Sequence, residues 1–167
     1  MKFMQVKWVL FLILASIIVI SGCGGGLSVK NGDTVKVHYT GTLDDGTEFD
    51  SSYERGPLEF TVGEGKLLSG FEQAVIGMQV GQSKTVTILA EDAYGLYDDE
   101  LVEVVNRDEL PSDLELEIGQ ELTVYNQGVP VDTCTVIEIS DSTVTLDYNH
   151  PLAGKDLTFA IELVEIL

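Results

Sequence analysis

Cysteine is scarce: the chain of 167 residues carries two, Cys23 and Cys134. No Cys cluster for zinc can be drawn from them. His38 and His150 are the only histidines, and no His-rich tail is present. No metal and no cofactor are therefore expected. Positive charge is short as well, nine Lys and Arg against 28 Asp and Glu, for a formal net charge of −19. Two of the nine, Lys2 and Lys7, lie in the first 22 residues, where there is no acid. The remainder repels phosphate backbones, which excludes nucleic-acid partners. Solubility is the plain consequence of such acidity. Nucleotide loops, nucleophile elbows and paired-His metal motifs are missing. The acidic runs Glu91-Asp92 and Asp98-Asp99-Glu100 do not have the spacing of a calcium loop and read as a solvated face.

No apolar run is long enough for an ordinary membrane span. Trp8 to Ile20 is 13 residues, against about 20 for a spanning helix. Behind Lys2 and Lys7 it has the length and flanks of a signal-peptide core. The run closes Val19-Ile20-Ser21-Gly22-Cys23. That resembles a lipobox, in which small residues fit the peptidase cleft and the Cys thiol takes a lipid. Residues 1–22 are expected to be a lipoprotein signal peptide and Cys23 the lipidation site, facing the outside of the cell membrane. An uncleaved anchor with an incidental Cys remains the alternative. Gly24-Gly25-Gly26 makes 23–28 a flexible tether. With Cys23 consumed, Cys134 has no disulfide partner and reads as a small buried hydrophobe.

The rest, with 44% hydrophobic residues overall, should fold. Val35, Val37 and Tyr39 alternate with Lys36, His38 and Thr40, the period of a half-buried strand. Asp44-Asp45-Gly46 turns the chain, and a second extended segment delivers Phe49 and Asp50. Lys66 to Met78 shows helical spacing, with Leu67, Phe71 and Val75 at i, i+4 and i+8 and Leu68 beside them. Gly77 or Gly81 is expected to end it. Gln82 to Ala90 alternates again. Leu122 to Tyr125, Asn126-Gln127-Gly128, then Val129 to Ile139 reads as a hairpin, followed by a strand at 143–147. Last comes a terminal strand, with Leu157, Phe159, Ile161, Leu163 and Glu165 on one face. On spacing alone, Tyr39, Phe49, Phe71 and Phe159 could equally be core residues.

Four blocks together narrow the reading. They are Val37 to Ser52, Gly70 to Met78 with Val80-Gly81, Ala93-Tyr94-Gly95, and Leu157 to Leu163. In this order they resemble the FKBP-type peptidyl-prolyl cis-trans isomerases. Between Tyr94 and Phe159, where ordinary members carry a short flap, 64 residues intervene. With Asp92, Tyr97-Asp98 and Asn149 to Gly154, this is similar to the SlyD-like subgroup, whose flap holds an inserted chaperone module. The resemblance implies an α+β fold, an antiparallel sheet wrapped on one short helix. It implies an isomerase domain of 29–100 and 147–167, and an inserted β-rich chaperone domain of 101–146.

The resemblance also implies the site. Tyr39, Phe49, Leu67, Leu68, Phe71, Tyr94 and Phe159 match an apolar pocket for the proline ring, with Asp50 at its rim. Arg55 matches a base that steadies Asp50 and Tyr39. The Leu68 N–H and the Tyr94 phenol match donors to substrate carbonyls. Leu58, His150 and Leu152 are further substrate-contact positions. Phe71 stands where Trp is frequent, and Leu58 where many members have an aromatic ring. The expected protein is a monomer acting on proline-containing unfolded or nascent polypeptides, tied to the membrane by its lipid. A surface-tethered holdase without catalysis is the second expectation. A transporter's solute-binding lipoprotein, which needs two larger lobes, is a poorer fit.

Overall fold

The computed structural model describes residues 27–167. The expected signal peptide, Cys23 and most of the expected tether lie outside them. Among the described residues no helix is long and apolar enough to cross a membrane.

The first sheet is organised around β1 (Thr34–Thr42). Val35, Val37 and Tyr39 are buried, and the residues between them are half-exposed, as the alternation predicts. One edge of β1 is shared: β2 (Glu48–Ser51) pairs with its end and β3 (Leu58–Thr61) with its beginning. Along the other edge runs β9 (Leu157–Ile166), which in turn pairs with β4 (Ser83–Ile88). All these pairings are antiparallel. The one α-helix among the described residues, α1 (Ser69–Val75), buries Phe71, Ala74 and Val75 in a core with Val35, Val37, Ile161 and Leu163. The Lys84 ammonium donates to the Ala74 carbonyl (2.9 Å), which suits the negative end of the helix.

Two details differ from the sequence expectation. The helix spans seven residues, shorter than 66–78. At its start Leu68 is extended (φ −54°, ψ 132°), and its carbonyl accepts from the N–H groups of Phe71 (2.9 Å) and Glu72 (3.1 Å). Upstream, the Glu72 carboxylate takes the N–H groups of Gly63 (2.7 Å) and Leu67 (3.2 Å). Those donors are thereby held in a loop. At its end Ile76 is extended, and the Gly77 N–H donates to the Val29 carbonyl (2.8 Å).

The second difference is in β9. Leu157, Phe159, Ile161 and Leu163 are buried as expected. Beyond them Val37 pairs with Leu163 but Lys36 with Glu165, so Val164 is an extra residue and the alternation flips. Glu165 therefore meets the Lys36 ammonium outside (2.8 Å), and Ile166 packs on the core in its place.

A second sheet forms between β4 and β9. It contains β5 (Val102–Asn106), β6 (Glu121–Asn126), β7 (Val129–Ile139) and β8 (Thr143–Asp147), in the order β5-β8-β7-β6. The expected hairpin is β6–β7. Its turn places both Gln127 (φ 51°) and Gly128 (φ 79°) in the left-handed region that tight hairpins require. One face is covered: Cys134, Val136, Val144 and Leu146 are buried there, with Leu110, Leu116 and Tyr148 packed against them. Cys134 is thus the small core residue its sequence context suggests. Val104, Tyr125, Val129 and Val131 remain exposed.

Candidate active site

Phe159 is the hub of the site. In the β1–β9 register it lies opposite Gly41. A Cβ at Gly41 would come within 2.6 Å of the Phe49 ring and 3.1 Å of the Phe159 ring. Only glycine lets both rings close over the strand. Phe159 then meets Phe49 (centroids 5.6 Å apart, planes at 84°) and Phe71 (5.2 Å, 86°) edge to face. Tyr39 meets Phe71 in the same way (5.6 Å, 85°). Each such pair adds about 0.5–1.5 kcal/mol beyond buried area. These rings are both core and wall.

They bound a cavity of about 320 Å³. It is lined by Tyr39, Phe49, Asp50, Leu58 and Phe159 from the sheet side, Leu67, Leu68 and Phe71 from the helix entry, and Tyr94 from the following loop. All eight principal positions and Leu58 are thus brought together. Arg55, His150 and Leu152 stand behind the wall. Arg55 bonds the Asp50 carboxylate, the Ser51 carbonyl (2.9 Å) and the Tyr39 phenol (3.4 Å). The His150 ring stacks on Tyr94 (3.8 Å, 3°), and its Nδ1 accepts from the Leu152 N–H (3.1 Å). That bond assigns the neutral ring's proton to Nε2. Leu152 packs on the main core.

Electrostatics hold the polar rim in one state. The Tyr39 phenol donates to Asp50 Oδ2 (2.5 Å). Burial, reinforced by that carboxylate, pushes the phenol up from 10.0 to about 12. Tyr39 is therefore a neutral donor at ordinary pH. Both Asp50 oxygens are engaged, one by Tyr39 and one by Arg55. Two donors are left over: neither the Leu68 N–H nor the Tyr94 phenol has a hydrogen-bond partner among the described residues. A recess lined mainly by aromatic and apolar side chains, with unpaired donors among them, suits a five-membered ring flanked by peptide carbonyls.

Sequence reasoning missed three contributors. Lys66 lines the cavity mouth, paired with Glu64 (2.7 Å). Gly41 lies inside the first block, where its strand position was the available signal. Glu72 reveals itself only through the loop it holds. Among the described residues no group of His, Cys, Asp and Glu is arranged to hold a metal ion.

An apolar recess on a sheet wrapped around one α-helix has the size and lining to take a proline ring. Residues 25–164 match the family described as FKBP-type peptidyl-prolyl cis-trans isomerase. The short-type peptidyl-prolyl cis-trans isomerase of Methanocaldococcus jannaschii is 40% identical over 152 residues, 83% of this chain and 94% of that protein. The FKBP-type 16 kDa peptidyl-prolyl cis-trans isomerase of Escherichia coli is 34% identical over 140 residues, covering 83% and 94%. The FKBP-type peptidyl-prolyl cis-trans isomerase SlyD of Escherichia coli is 39% identical over 134 residues, covering 79% and 67%. The chain belongs to the FKBP-type peptidyl-prolyl cis-trans isomerase family.

Proposed function

We propose that this isomerase is tethered outside the cell by a lipid on Cys23 and that it also holds unfolded polypeptide on its second sheet. Its substrates are X-Pro bonds in proteins that fold after export. The observation that best supports the catalytic part is the aromatic recess with the Leu68 N–H and the Tyr94 phenol unpaired at its mouth.

The chemistry follows from the bond. Rotation about a peptide C–N is opposed by about 18–20 kcal/mol of amide resonance. The resonance form that makes the bond double is charge-separated, so water favours it. Moving the proline into a water-excluding recess raises the planar amide relative to the twisted one. Donors matched to the twisted carbonyl geometry bind that state more tightly. Each 1.4 kcal/mol of that difference is roughly tenfold in rate. No proton is transferred. Asp50, already accepting from Tyr39, Arg55 and the Ser51 N–H, orients Tyr39 and is not a general base.

The holding function rests on Val104, Tyr125, Val129 and Val131, apolar side chains left exposed on the second sheet. A chain gripped there raises the local concentration of its prolines at the recess. Turnover of a short prolyl peptide and of an unfolded protein, measured side by side, is the test. Tyr94→Ala and Phe159→Ala should lower both while the chain still folds. Removal of residues 101–147 should spare the peptide and reduce action on the protein. No acceleration of the peptide rejects the catalytic reading, and equal survival of both activities rejects the division of labour. Mass spectrometry tests the tether: an intact Met1 or an unmodified Cys23 would sink it.

A further inference from the structure

Two chain segments join the sheets, 95–101 going out and 147–154 coming back. The buried clusters of the two sheets share no residue, and the two connectors are hydrogen-bonded to each other at several points. One side chain is committed wholly to fastening them. Asn149 Oδ1 accepts from the Asp98 N–H (3.0 Å), and Asn149 Nδ2 donates to the Asp98 carbonyl (2.9 Å). One amide thus satisfies both backbone groups of a residue 51 positions away, as a neighbouring strand would. Nδ2 also donates to Asp147 Oδ1 (2.8 Å). An amide has one acceptor and two donor hydrogens, and here all are used.

The surroundings reinforce the fastening. Asp147 Oδ2 accepts the Tyr97 phenol from the outgoing segment (3.0 Å). Burial raises the Asp147 carboxyl, but the donors from Asn149 and Tyr97 outweigh it and leave it below its ordinary value. Backbone bonds flank the amide on both sides, Tyr148 N–H to the Leu101 carbonyl (2.9 Å) and Gly154 N–H to the Gly95 carbonyl (2.8 Å). The outgoing segment follows Tyr94 on the recess and leads into β5 on the second sheet. Leu96, Tyr97 and Leu101 along it are exposed apolar side chains.

We propose that Asn149 is a positioning residue that sets the second sheet relative to the prolyl recess, so that a polypeptide held on the one presents its prolines to the other. This rests on the holding function proposed above. It predicts a role that depends on substrate length. A short peptide occupies the recess alone and is indifferent to the clasp. A long unfolded chain must reach both surfaces, and its effective concentration depends on how they are set.

The test uses Asn149→Ala and, as a milder change, Tyr97→Phe, both in the full chain and both checked for an unchanged far-UV spectrum. Asn149→Ala should leave kcat/KM on a short prolyl peptide within about twofold and lower it on an unfolded protein about tenfold, through KM. Tyr97→Phe should give a smaller loss of the same kind. Residual dipolar couplings should fit one alignment tensor for both sheets in the parent and two in Asn149→Ala. A full-chain control, Val104→Lys with Val131→Lys, disables the exposed face of the second sheet instead. If that control loses protein turnover while Asn149→Ala retains it, the clasp is refuted and the holding function stands. If both retain it, both proposals fall. Equal loss on peptide and protein would also overturn the clasp, because it would mean that Asn149 acts on the recess itself.

Discussion

Glu72 is the carboxylate on which the shape of the recess most depends, and Glu72→Gln isolates its charge from its size. The residue is buried, with Oε2 accepting from Gly63 N–H (2.7 Å) and Oε1 from Leu67 N–H (3.2 Å). Glutamine keeps one acceptor. If its oxygen stays with Gly63, its NH₂ faces the Leu67 N–H, donor against donor. A hydrogen bond to a charged group contributes about 1.5–3 kcal/mol, and a buried donor left unpaired costs about 1–3. A net destabilisation of about 2–3 kcal/mol follows. In urea that moves the midpoint by roughly 1 M or more, for an m-value of about 1–3 kcal/mol per M. The single Trp is at position 8, so tyrosine fluorescence with far-UV circular dichroism is the probe. Because the loop carries Leu67 and Leu68, peptide KM should rise as well.

The pH dependence supplies a second check on Glu72. Burial raises the carboxyl, but the N–H groups of Gly63, Leu67 and Gly65 outweigh it and hold it below its ordinary 4.5. A depressed folded-state value means stabilisation that is full above the unfolded value and lost as pH falls through the folded one. The stability gap between parent and Glu72→Gln should therefore be widest at neutral pH and close below about 4.5. Equal urea midpoints at neutral pH, or a gap that persists unchanged in acid, would refute the assignment.

Tyr39→Phe removes the donor to Asp50 and should lower peptide kcat/KM by about two- to tenfold, the worth of one hydrogen bond. With the phenol raised to about 12, its stabilisation is complete below the unfolded value of 10.0 and disappears as pH climbs through about 12. A difference titration of phenolate absorbance, parent minus Tyr39→Phe, should show that late ionisation, and a midpoint near 10 would contradict it. Cys134 is buried and its thiol is raised first by desolvation, so a thiol reagent should modify it only as fast as the second sheet opens. Modification of the native protein at the rate of an exposed thiol would show that the covered face is open.

What was legible in the sequence was whatever has a short period. The alternation of Val35, Val37 and Tyr39 announced β1, and that of Leu157 to Leu163 announced β9, because one face of each is buried. Periodicity fails where a single contact overrides it. Leu67 and Leu68 carry helical spacing, yet Glu72 captures the N–H groups of Gly63 and of Leu67 itself, and both leucines become pocket wall. Glu165 keeps the alternation in sequence and loses it in space, since the extra residue Val164 flips the strand.

The recess itself was legible only as a resemblance between blocks, and the register explains why. Gly41 opposite Phe159 brings the Phe49 and Phe159 rings together, and Tyr39 opposite Ile161 keeps the phenol on the same inner face. A slip of one residue in β1–β9 would turn Phe159 outward and empty the recess. The bulge at Val164 lets the chain end satisfy Lys36 with Glu165 without disturbing that register. The site is thus a property of how two distant strands align, which neither strand's own sequence states.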